Sequence, residues 1–179
     1  VYPRLERPQM KSWVGVGGSQ ESVIRAARYD FPLMLAIIGG SPTRFTSFIY
    51  QYQNSRKQFN LPVGEVAIHC PGHIAETDEK AKQTVWPHLQ GMYAKIGRER
   101  GWPPMRYDQF QFGTSPDGAM FIGSPDTVAR KIVDVTNLLG VDRFDMKYSN
   151  GTMPHEDCMD SIKLFATEVI PRVRELREE

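Results

Sequence analysis

Four times along the chain a strand-like run gives way to residues at helical spacing, and this alternation limits the possible folds more than any other feature. The runs are Trp13–Val16, Phe31–Ile38, Glu65–His69 and Asp142–Tyr148. The first closes on Gly17 and Gly18, after which Ser19 is placed to cap a helix whose apolar members are Val23, Ala26 and Ala27. The second closes on Gly39-Gly40-Ser41-Pro42 and leads to a helix bearing Phe45, Phe48, Ile49 and Tyr52. After the third, Cys70-Pro71-Gly72 is expected to turn the chain toward a helix beginning at Thr77 or Asp78. Its stripe is Ala81, Val85, Leu89, Met92 and Ile96, and it ends near Gly101. Ser124-Pro125-Asp126 caps a helix with Val128, Ile132, Val135 and Leu139, closed by Gly140. The fourth run turns at Ser149-Asn150-Gly151, and Pro154 opens a last helix with Ile162, Phe165, Val169 and Ile170 on its buried side.

Apolar strands without alternation, separated by helices, specify an α/β fold with parallel strands, helix crossovers and both sheet faces covered. A doubly wound sheet and part of a (β/α)8 TIM barrel both satisfy the pattern. A full barrel takes about 250 residues, so four βα units in a chain of 179 fit half of one. From Trp102 to Gly123 the periodicity is lost among prolines, glycines and five aromatic residues, as in an excursion over an active face or a subunit contact. No low-complexity segment or second domain interrupts residues 1–179, which read as a single domain. The opening VYPRLERPQMK reads as an extended lead-in, and a chain that starts on Val1 is expected to be a piece of something longer.

Charge and cysteines exclude several classes of partner. Lys and Arg total 22 against 21 for Asp and Glu, so there is no basic footprint for nucleic acid. No apolar run is long enough to span a bilayer, and no leader pattern is present. Two distant cysteines, Cys70 and Cys158, fit a reducing cytoplasm.

The paired glycines carry the chemistry. Two glycines at the carboxyl end of a parallel strand, followed by serine and a helix start, let backbone N–H groups face an anion with the helix dipole behind them. The plain alternative is a tight strand-to-helix turn with a serine cap. The dinucleotide fingerprint is absent, because Gln20 stands where its third glycine belongs, and no Gly-Lys-Ser/Thr occurs. An anion would therefore be held by backbone and hydroxyls, those of Ser19 and Ser22, with Glu21 turned away. His69, Cys70 and His73 lie close in sequence, but no set of three or four ligands with supporting carboxylates accompanies them, and no metal is expected. His155 and Glu156 follow the fourth strand and so stand on the functional face.

The stretch WVGVGGSQESVIRAARYDFPLMLAIIGGSP, with FIGSPDTVARKIV and the ending MPHEDCMDSIKLFATEVIPRVREL, resembles the carboxyl-terminal half of the bacterial luciferase-like flavin-dependent monooxygenases. The resemblance implies half of a (β/α)8 barrel and an enzyme that oxidises a small organic substrate with dioxygen and reduced flavin mononucleotide (FMN). A deazaflavin coenzyme is the second choice. It implies that Val16, Gly17, Gly18, Ser19 and Ser22 hold the flavin phosphate, while the second glycine pair makes a close-approach turn on the same face. It also implies a homo-oligomer and a flavin reductase as electron donor. No catalytic residue is assigned, because after the third strand this chain reads His69-Cys70-Pro71-Gly72-His73 where many relatives read something like His-Ser-His-Gly. Two other readings stay open: a catalytically silent flavin-binding or subunit-interaction module, and a phosphosugar-binding barrel of other chemistry. In isolation the half barrel is expected to be inactive.

Overall fold

A computed structural model describes residue 6 and residues 10–178. Most of the expected lead-in therefore lies outside the described residues. The elements run β1 (Val14–Val16), α1 (Gln20–Arg28), β2 (Leu33–Ala36), a 3-10 turn (Pro42–Phe45), α2 (Thr46–Gln58), β3 (Val66–Ile74) and α3 (Asp78–Arg100). They continue with α4 (Tyr107–Thr114), β4 (Phe121–Gly123), α5 (Pro125–Leu139), β5 (Arg143–Lys147), α6 (His155–Leu164), a π turn (Phe165–Val169) and α7 (Ile170–Glu178).

Every strand pairing is parallel, as the βα alternation requires. β1 pairs with β2, β2 with β3, and β5 lies along β3, while the short β4 takes the end of β3 from Gly72 to Ile74. The sheet thus follows chain order, as in a barrel, with β4 added at one end.

Register sorts the strands into two faces. Val14, Leu33, Val66 and Phe144 and the residues two further along turn toward the helices. Val16, Leu35, Ile37, Ile68 and Cys70 are buried there against Val23, Ala26, Ala27, Val128, Ala129 and Ile132. The opposite, concave face carries Gly15, Met34, Ala67 and Arg143 in one row and Ala36, His69 and Asp145 in the next. The indole of Trp13 sits within 5.7 Å of the Arg143 guanidinium.

Two expectations change. The run Phe31–Ile38 is covered on one face only: Leu33, Leu35 and Ile37 are buried, whereas Met34 and Ala36 are half-buried and Ile38 is 56% exposed. Among the described residues the concave face is less completely covered than the helix side, although Ala67 on it is buried. The expected turn at Cys70-Pro71-Gly72 is instead strand, because β5 keeps pairing as far as Pro71 with Lys147 and β4 takes over from Gly72.

Caps fall where the sequence places them. Ser19, Thr77 and Ser124 each accept an N–H from three residues on. Gly101 and Gly140 close α3 and α5 in the left-handed region, at φ +71° and +61°. Within the aperiodic stretch, α4 and β4 build a second core, in which Phe110, Met120 and Ile122 pack on Ala81, Val85 and Leu89 of α3.

Candidate functional site

The carboxyl ends of the parallel strands share one edge, so the turns after β1, β2 and β5 converge there. The turn after β1 holds all the predicted anion ligands. Val16 ends the strand and is buried, Gly17, Gly18 and Ser19 are exposed, and Ser22 is half-buried in the first turn of α1. Gly18 has φ +147°, open to glycine and strained for other residues. A Cβ built on Gly17 or Gly18 meets nothing within 4 Å, so the backbone there faces open space that a side chain would fill. Ser19 Oγ accepts the Ser22 amide at 3.2 Å, leaving its own hydrogen free to donate outward. The first amides of α1 have no acceptor within the helix. The turn therefore has the donors, the exposure and the dipole that a phosphate requires.

Beyond β2 and β3 the structure forms two adjoining cavities. One, of about 550 Å³, lies between Gly39 and Gly40 of the second glycine turn and Trp102, Met105, Phe112 and Met120. The other, of about 220 Å³, lies between Ile38, Pro71, Lys147 and Asn150 and the side chains Leu89, Met92 and Ile96 of α3. Tyr93, Trp102 and Met120 line both. The stretch after α3 thus does lie over the strand ends, and Trp102, with the Arg100 guanidinium 5.2 Å from its ring, is part of the wall. None of these cavity walls includes a residue of the Gly17–Ser22 turn.

A third cavity, of about 300 Å³, is polar and lies at the end of β3, between His73, Glu76 and Lys80 on one side and Asp157, Asp160 and Lys163 on the other. Burial pulls the His73 imidazole below its ordinary pKa, against the pull of Asp157.

His69, Cys70 and His73 do not converge on a ligand. His69 is on the concave face, while Cys70 turns into the helix-side core, where burial pushes its thiol up to about 12 and removes it as a nucleophile. Among the described residues no group of three or more His, Cys, Asp or Glu is placed to hold a metal. No helix among them is long and apolar enough to cross a membrane. His155 and Glu156 are exposed at the start of α6 and line none of the three cavities. Sequence reasoning placed Trp102 in the stretch expected over an active face, but it missed Tyr93, Lys147 and Asn150 as cavity residues. The only signal was position, since Lys147 and Asn150 end the fourth strand.

No family model matches the sequence, and no curated protein matches it. Solved structures do resemble it. Monooxygenase RslO1 from Streptomyces bottropensis is 19% identical with a TM-score of 0.68, over 93% of this chain and 49% of that one. The oxygenating constituent of 3,6-diketocamphane monooxygenase from Pseudomonas putida, a type II Baeyer-Villiger monooxygenase in complex with FMN, is 17% identical with a TM-score of 0.66, over 90% and 48%. The coenzyme F420-dependent tetrahydromethanopterin reductase from Methanopyrus kandleri is 17% identical with a TM-score of 0.59, over 90% and 50%. The chain spans about half the length of these proteins, and its α/β architecture is that of half of their barrel.

Proposed function

We propose that this chain is the phosphate-binding half of a flavin-dependent oxidoreductase that uses reduced FMN and dioxygen to oxidise a small organic substrate. The observation that carries the reading is the open Gly17-Gly18-Ser19 turn at the end of β1, on the same strand edge as an apolar cavity. Bound there, reduced flavin would supply the electrons for dioxygen. The chain's own residues would hold its phosphate through backbone amides and the Ser19 and Ser22 hydroxyls, and shape an apolar space beside it. Similarity to a monooxygenase in complex with FMN supports this choice of cofactor. A deazaflavin is the alternative, since a coenzyme F420-dependent reductase has a similar fold. A flavin reductase as electron donor and a homo-oligomer complete the proposal.

The alternative is a silent flavin-binding or subunit-interaction module, which would use the same open turn without the chemistry. Flavin titration of the protein tests the site. Ser19→Ala with Ser22→Ala should weaken binding by about 1–3 kcal/mol, the worth of lost charge-assisted hydrogen bonds, with the fold retained. Unchanged affinity would remove the assignment. With the rest of the barrel supplied, consumption of reduced flavin coupled to product formation separates the enzyme from the silent module.

A further inference from the structure

Lys147 ends β5 on the concave face, in register with Pro71, and both residues line the cavity of about 220 Å³. Its side chain is half-buried. Nζ donates one of its three hydrogens to the Ser149 carbonyl at 2.7 Å, in a hydrogen bond that stays open to solvent. That bond steadies the turn after β5 but leaves the charge uncompensated, and two donors remain. Among the described residues Lys147 forms no ion pair. Burial pulls its amine below the ordinary value, and no carboxylate offsets this.

The other walls hold nothing to neutralise this cation. Leu89, Met92 and Ile96 of α3 line the space with Ile38 and Pro71, and among the described residues no Asp or Glu does. Asp145, one step back on the same face of β5, is held by Arg143 Nε at 2.8 Å, and Asp108 of the adjoining cavity is engaged by Arg106. Asn150 adds no acceptor to the space, because its Oδ1 is enclosed. A second cation stands at the rim: Arg100, exposed at the end of α3 with its guanidinium 5.2 Å from the Trp102 ring, also lines the cavity. A basic residue is favourable at a helix carboxyl end without any ligand, whereas Lys147 lies in a strand and has no such reason. A cation among aliphatic walls attracts an anion more strongly than it would in water, where the dielectric is higher. At about 220 Å³ the space is below the roughly 300–1,000 Å³ typical of drug-sized ligands.

We infer that this cavity takes a small molecule with an apolar body and one anionic head, such as an alicyclic or aliphatic carboxylate, and that Lys147 Nζ receives the head while Arg100 adds its charge at the rim. The inference rests on the flavin-enzyme reading only in calling this molecule the substrate. The two cations and the apolar walls are properties of the cavity alone. A neutral molecule of the same shape fills the same walls but leaves the Lys147 charge unanswered, so the site discriminates by charge.

The test is a titration of the protein at neutral pH with cyclohexanecarboxylate and with its amide, which has nearly the same shape and no charge, followed by tryptophan fluorescence, since Trp102 lies in the wall. The carboxylate is expected to bind at least about tenfold more tightly, as a charged hydrogen-bond partner should. Lys147→Met should reduce that preference to about threefold or less, and adding Arg100→Met should bring the two ligands within about twofold. Equal binding of the two by the unaltered protein, binding of neither, or a preference that Lys147→Met leaves unchanged would each overturn the inference. Should that variant fail to fold, the two ligands on the unaltered protein still decide. FMN is titrated in parallel. Carboxylate selectivity without flavin binding would sink the enzyme reading and leave the site standing, and flavin binding without selectivity would do the reverse. Displacement of the bound carboxylate by FMN would give both cations to the cofactor and overturn the substrate assignment.

Discussion

Asp30 adopts φ +56°, a conformation that few residues other than glycine, asparagine and aspartate accept. From there its carboxylate accepts from Arg56 Nη2 at 2.7 Å, and the Arg56 side chain is almost wholly buried. Arg56 also donates to the Pro62 carbonyl at 2.7 Å and stands over the ring of Tyr52, whose hydroxyl donates to the Phe31 carbonyl at 2.7 Å. The pair is not legible in the sequence, because the cation that Asp30 serves is 26 residues away. Asp30→Ala keeps the strained backbone and strips a buried guanidinium of its carboxylate, so it should cost about 1–3 kcal/mol in urea unfolding. Asp30→Asn tolerates the backbone and keeps an acceptor, and should cost less. An alanine variant as stable as the parent would show that the pair contributes nothing. At Gly18 a valine would be strained by the positive φ and would fill the open space before the turn. It should lower flavin affinity more than the paired serine changes do, by direct titration.

Helix ends were legible in the sequence because a cap is local: Ser19, Thr77 and Ser124 reach only three residues on, and Gly101 and Gly140 need only their own φ. The continuation of β3 through Pro71, the short β4 and the helix α4 were not legible, because each depends on partners distant in sequence. Lys131 illustrates this on α5. It falls among the buried positions of the helix, and its ammonium donates to the carbonyls of Ser115 and Met120 at 2.5 and 2.8 Å, 5.1 Å from the Phe121 ring. It thereby ties α5 to the segment leading into β4. Burial pushes this amine down to about 8 from an ordinary 10.5. Above about pH 8 the unfolded chain holds a proton that the folded one has released, so this group adds stability as pH rises. Cys70, pushed up to about 12 by burial, works in the opposite direction once its unfolded thiol ionises near 9.0. Between about pH 8 and 9 Cys70 does not yet oppose it, and comparison with a Lys131 variant cancels Lys147, whose amine burial also lowers. Lys131→Met should lower the urea midpoint at pH 7, and the gap to the parent should widen by pH 9. A gap that stays constant would mean that Lys131 titrates no differently in the folded protein.

At the scale of the whole molecule, four strands in chain order make a curved parallel sheet with helices on one side, and the count of units against chain length made that half barrel legible. Part of what lies inside it was legible, since Leu89, Met92 and Ile96 of the α3 stripe line a cavity wall, but the walls contributed by the stretch after α3 were not, because no periodicity there marks which side chains turn inward. The concave face combines half-buried Met34 and Ala36 and exposed Ile38 with His69 and the Arg143–Asp145 pair, in which Nε donates to Oδ1 at 2.8 Å. Among the described residues β1 pairs only with β2 and β5 only with β3, so each leaves one edge of backbone groups open. Open parallel edges and a partly apolar concavity favour association, because closing a barrel removes both at once. We therefore predict that the 179-residue chain, purified by itself, associates with a second copy or aggregates, and turns over no substrate with reduced flavin. Sedimentation velocity across a range of protein concentrations reads the first point and an oxygen-consumption assay the second. Met34→Glu, which sets a charge in the middle of the concave face, should move the sedimentation profile toward monomer if that face is what associates. A concentration-independent monomer that oxidises a substrate with reduced flavin would instead show that this sheet needs no further strands to form a working site.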